Sequence, residues 1–166
     1  MRKPNRIHSL GFSMIELTVA TTIFSIGLSG ISIMMLAAVG GTTGAQHQTT
    51  AVAQASSLAE MIAMNSDAVG HYINPVPASA DSCIAGPCSP DEMAALNMNF
   101  WQAQLHRDLP AGEGLVCRDS TADDGNAFDP SCDGNGGLVI KVFWQDTRHR
   151  QDEDDGMRRF VSRLPW

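Results

Sequence analysis

An α+β fold is predicted for this chain: a long N-terminal helix, a short second helix, and a small antiparallel sheet of about three to four strands laid against the long helix. Three observations carry it. Phe12 to Gly41 is a tract of apolar and small residues in which Glu16 is the only charge. Ser89-Pro90-Asp91-Glu92 has the chemistry of a helix start, and Leu138 to Gln145 alternates with the period of a strand. A sheet with helices gathered on one face is the standard way to bury such elements together.

The 166 residues fit one domain of ordinary size, and 43% of them are hydrophobic. That average joins two materials end to end, an apolar N-terminal tract and a polar, acidic, loop-rich remainder. Arg2, Lys3 and Arg6 precede the apolar tract, and the next basic side chain is Arg107. Positive charge beside a spanning segment stays in the cytoplasm, which puts residues 1–11 there and the bulk of the chain across the membrane. Eleven basic side chains stand against eighteen acidic ones; without residues 1–11 the balance is eight against eighteen, or −10. Such a surface excludes nucleic acid and anionic headgroups as partners and reads as a solvated head.

The first helix runs from Phe12 to about Val39. At 1.5 Å per residue it extends ~42 Å, enough to cross ~30 Å of hydrocarbon. A secretory signal peptide has a shorter apolar core, of about 7 to 15 residues, and ends at a small-residue site. A plain signal anchor fits the hydropathy but has no use for Glu16. An intramembrane acid costs a few kcal/mol at the bilayer centre, about 2.5–3.5 on insertion scales, and marks a functional position. Cleavage before Phe12 would create an α-amino group of pKa ~7.7–8. A neighbouring subunit's Glu16 can neutralise that amine when helices stack in an apolar core, where unpaired charge is expensive. The plainer alternative is that Glu16 reaches the headgroups and binds water.

The run Gly11-Phe12-Ser13-Met14-Ile15-Glu16, behind a short basic leader and ahead of a long apolar helix, closely resembles the prepilin signature of type IV pilins and type II secretion pseudopilins. The resemblance implies the type IV pilin fold. It also implies cleavage between Gly11 and Phe12 by a prepilin peptidase, N-methylation of Phe12, and an assembly role for Glu16. The corresponding organisation is a prepilin leader at 1–11, a transmembrane and filament-core helix at 12–41, its amphipathic continuation at 42–66, and a disulfide-stapled periplasmic or extracellular head at 67–166. Many major pilins carry a proline in the apolar helix. This tract has none and offers only Gly27 and Gly30, which suit either local loosening, at ~1 kcal/mol per glycine, or close helix packing.

Gly40, Gly41 and Gly44 interrupt the pattern, but Thr43 to Ser66 resumes it with Val52, Ala55, Leu58, Ala59 and Ile62 along one stripe. Residues 67–90, with Pro75, Pro77, Pro87 and Pro90, read as a loop. The second helix follows, with Met93, Leu96, Phe100, Trp101 and Leu105 at helical spacing until Leu109-Pro110 stops it. Strands are expected at Gly114 to Arg118, at Leu138 to Gln145, and around Phe160, Ser162 and Leu164.

Cys83, Cys88, Cys117 and Cys132 all fall on the far side of the membrane. Their spacing gives no pair of CxxC knuckles, and an oxidising compartment favours disulfides over zinc. Three connectivities are open. The sequential one, Cys83–Cys88 and Cys117–Cys132, is expected because each pair lies in one stretch rich in Gly, Pro or Asp that needs a local staple. Asp119, Asp123, Asp124, Asp129 and Asp133 crowd one loop and suggest Ca²⁺, but their spacing matches no EF-hand, and a solvated loop held by Cys117 and Cys132 is preferred. Asp152-Glu153-Asp154-Asp155-Gly156 reads as an exposed hairpin turn. No GxSxG, HExxH or phosphate loop occurs, and His8, His47, His71, His106 and His149 are scattered, with His47 and His71 facing solvent. Neither catalysis nor a cofactor is expected.

Asp108-Leu109-Pro110-Ala111-Gly112-Glu113-Gly114-Leu115-Val116-Cys117, Val142-Phe143-Trp144-Gln145-Asp146 and Leu58-Ala59-Glu60-Met61, with the cysteine ring before the Trp101 helix, resemble the minor pilins of the type IV pilus. This implies an inner-membrane precursor and then a low-abundance subunit near the pilus tip, starting pilus assembly and supporting twitching motility and adhesion. The implied partners are other minor pilins and the major pilin through the N-terminal helix, prepilin peptidase, the inner-membrane assembly machinery and a tip adhesin. A type II secretion pseudopilin and a membrane-tethered periplasmic binding module are the competing readings.

Overall fold

The computed structural model describes residues 11–73, 83, 86–146 and 156–165. The basic residues of the leader, Pro75, Pro77, His149 and the acids of the 152–155 tract lie outside the described residues. The chain divides into two compact units, Met1–Thr43 and Gly44–Trp166.

One helix, α1, covers Met14–Met64, 51 residues. It runs unbroken through Gly40, Gly41 and Gly44, which the sequence marked as an interruption. In the second unit α1 buries Ala51, Ala55, Leu58 and Ile62 at the 4-3-4 spacing of one helical face. Val52, expected in that stripe, is exposed, and Ala51 takes its place.

Residues 67–73 are not loop. A 3₁₀ turn at Ser66–Ala68 leads into the single-turn helix α2, Val69–Ile73, whose Tyr72 is fully buried. The Tyr72 hydroxyl donates to the Met61 carbonyl and accepts from the Asn97 amide at 2.8 Å, so the buried phenol is satisfied.

Helix α3, Pro90–Asp108, starts where its local chemistry dictates. Ser89 Oγ accepts from the Glu92 backbone N–H while the Glu92 carboxylate accepts from the Ser89 N–H at 2.9 Å, with Pro90 at the first helical position. Its buried face is Ala94, Ala95, Met98, Trp101 and Leu105. Met93 and Phe100, expected inside, are exposed, Phe100 at 56% against 0% for Trp101. The alanines let α3 lie close to its neighbours, and Trp101 Nε1 donates to the Gln54 carbonyl of α1 at 3.0 Å.

Strands β1 (Glu113–Asp119), β2 (Gly137–Gln145) and β3 (Met157–Arg163) form an antiparallel meander in the order β1-β2-β3. Leu115 pairs with Lys141, and Lys141 with Val161. A Cβ at Gly114 would lie 2.4 Å from the Trp101 ring, so only glycine lets β1 pass beneath that indole. On one face of β2, Leu138, Ile140, Val142 and Trp144 join the helices in the main core. Val139, Lys141 and Phe143 on the other face are buried too. The segment between β1 and β2 covers them, with Ala122, Cys117 and Cys132 packed around Val139.

Candidate functional site

The residues of the prepilin-like signature sit at the start of α1. Gly11, Phe12 and Ser13 are exposed and non-helical, and Phe12 is 86% exposed. The Ser13 carbonyl accepts from the N–H groups of Glu16 and Leu17 at 3.0 and 3.2 Å, which opens the helix and puts the exposed Glu16 in its first turn. The positive end of the helix dipole favours an acid at that place. From Phe12 to Val39 the large apolar side chains, Ile23, Phe24, Ile31 and Met34 among them, have no cover within their unit. By length and composition α1 is apolar enough to cross a membrane, with a mean hydropathy of 2.0 over its most apolar window and none of that window buried.

Sequence reasoning missed how this tract handles its hydroxyls. Thr18, Thr22, Ser25, Ser29 and Ser32 recur every three or four residues. Each donates to a backbone carbonyl one turn back, Thr22 to Thr18 and Ser25 to Thr21 at 2.7 Å, Ser29 to Ser25 at 2.9 Å. No hydroxyl of this stripe therefore needs water, which suits an apolar surrounding. The signal was present as Ser/Thr at helical spacing within an apolar run. A Cβ at Gly27 or Gly30 would meet nothing within 4 Å, so no neighbour in this chain requires either glycine.

The cysteines pair sequentially. Cys83 and Cys88 have Cα atoms 5.0 Å apart, Cys117 and Cys132 6.2 Å apart, and among the described residues no cysteine is free. Cys117, Asp119 and Cys132 bring possible ligand atoms within 4.8 Å of one another, but both sulfurs are bonded to each other and supply no thiolate.

The aspartates of this loop do not all face solvent as expected. The Lys141 ammonium lies 2.5 Å from Asp119 Oδ2, and both side chains are 0% exposed. This hydrogen bond holds the Asp119 carboxyl below its ordinary pKa, against the opposing effect of burial and with help from the Thr121 N–H. Asp123 pairs with Arg163 at 2.7 Å, and Asp124 is 3.5 Å from Lys141. Asp129 accepts from the Ser131 N–H at 3.1 Å. Asp133 accepts from Ser120 and Asn135, bonds that hold its carboxyl below the usual range. Arg159 donates to the carbonyls of Asp123 and Gly125.

His71, expected in solvent, is half-buried and lies 3.2 Å from Asp91; His47 is also half-buried. His106 lines a cleft of about 190 Å³ with Gln102 and Glu113, smaller than the ~300 Å³ at which ligand pockets begin. Gly156 at the end of the acidic tract is buried, and its carbonyl accepts from the Asp146 N–H at 2.7 Å.

Comparison with protein-family models, curated proteins and solved structures gives no match. The family reading rests on the residues themselves.

Proposed function

We propose that this chain is a minor pilin of the type IV pilus, most like the minor pilin PilV: a precursor cut after Gly11, methylated on Phe12, and built through α1 into a filament at or near its tip. The observation that carries the reading is the coupling of Glu16, five residues past Gly11, to a helix whose apolar side chains have no partner in their own unit. A helix apolar all round needs lipid or other helices about it. Before assembly the bilayer supplies that surrounding, with the head in the periplasm; in the filament, the helices of other minor pilins and of the major pilin supply it. Glu16 then meets the amine of a neighbour's Phe12, which offsets the cost of taking either charge out of water. Initiation of assembly, twitching motility and adhesion through a tip adhesin follow from the family resemblance.

Mass spectrometry of the mature protein tests the processing. The expected product begins at Phe12 and carries one added methyl group on its amine. An intact Met1 start, or cleavage beyond the apolar tract, overturns the reading. The pseudopilin shares the signature. Deletion separates the two, since loss of a minor pilin reduces surface pili and loss of a pseudopilin blocks protein secretion.

A further inference from the structure

We propose that Lys141 is the resident cation of an all-oxygen cage built by the disulfide-closed loop, and that its ammonium does for this loop what a bound divalent ion would otherwise do. The inference uses no residue of α1 and stands apart from the filament reading.

Lys141 lies on the central strand, on the sheet face turned away from the main core, where a polar side chain would ordinarily reach solvent. Instead it is fully buried beneath the 119–133 segment. Four oxygens surround Nζ: Asp119 Oδ2 at 2.5 Å, the Pro130 carbonyl at 2.7 Å, the Asp124 carbonyl at 3.2 Å and Asp124 Oδ1 at 3.5 Å. An ammonium has three N–H donors; two are given to the Pro130 and Asp124 carbonyls, and its charge is paired with Asp119. Apart from this ammonium, no donor reaches the buried Asp119 Oδ2 among the described residues.

Two carboxylates and two carbonyls converging on one point are the donor types that a hard divalent cation takes, with water completing its six to eight oxygens. Here a covalently attached charge holds the centre. It ties both ends of the loop to the sheet, through Asp119 beside Cys117 and Pro130 beside Cys132, and Asp124 between them. The disulfide shortens the loop, and Lys141 fixes where it lies. Without the ammonium, the buried Asp119 carboxylate would lose the counter-charge at the cage centre, a costly arrangement. A divalent ion of the right size could then relieve it.

The test uses the full chain in detergent micelles, with calcium alone as the probe. In the wild type, neither millimolar calcium nor EDTA should shift the thermal midpoint, and titration calorimetry should detect no calcium binding. Lys141→Ala should lower the midpoint, and calcium should bind it and recover part of the loss; adding Asp124→Asn to it should abolish that recovery. Calcium binding by the wild type, or a Lys141→Ala protein that melts like the wild type or gains nothing from calcium, overturns the proposal. Should Lys141→Ala not fold, Asp124→Asn alone decides. Its half-exposed carboxylate can be lost without emptying the core, and amide exchange across residues 120–131 should speed up by about tenfold. Unchanged exchange there overturns the proposal as well.

Discussion

The two parts of α1 share one backbone geometry and differ in almost everything else. From Gly44 to Met64 the helix buries Ala51, Ala55, Leu58 and Ile62 against α3 and the sheet, and its stability comes from that packing. From Met14 to Thr43 it buries no large side chain in its own unit, and its Ile, Val, Thr and Gly residues are mediocre helix formers in water. Such a tract would be held helical by an environment without water, where every backbone group must bond within its own segment. One element thus carries two designs, the first calling for a partner outside its unit and the second finding one within it.

Truncating a leucine in each part should separate the two designs most strongly. Leu58→Ala removes a fully buried side chain and should cost the head about 2–5 kcal/mol in denaturant unfolding of the detergent-solubilised chain. Leu28→Ala, in the exposed part, should leave that transition within about 0.5 kcal/mol of wild type. Equal losses would mean that the apolar tract is packed on the head, and the contrast would collapse. A smaller effect sharpens the same contrast from the side of local chemistry. Ser89→Ala deletes one half of the α3 capping box and should lower head stability by about 1 kcal/mol, read as a lower denaturation midpoint at an unchanged slope.

The start of α3 was legible because capping is local: Ser89, Pro90 and Glu92 act on their own turn. The meander was legible in β2, whose alternation fixed a strand within one residue of its observed start. Faces were harder to read. In α3 the bulky Met93 and Phe100 outweighed Ala94 and Ala95 in the pattern, yet small residues are what close helix packing selects. Helix α2 is a single turn containing Gly70, too short for periodicity to register. In the sequence Lys141 is one residue of a strand pattern, because its counter-charges come from the end of β1 and the loop that follows it, and only the folded chain brings them together. The signature at Gly11, Phe12 and Glu16 is legible for the opposite reason, being a contiguous motif whose proposed partners are other molecules.

Filament incorporation of Glu16→Ala tests the central claim most directly. Membrane-fraction levels and cleavage at Gly11 should match the wild type, because every apolar side chain of the tract is kept, while the amount recovered in sheared surface filaments should fall by about tenfold or more, as expected when a buried charge loses its partner. Recovery equal to wild type would contradict the account and leave α1 as a membrane tether.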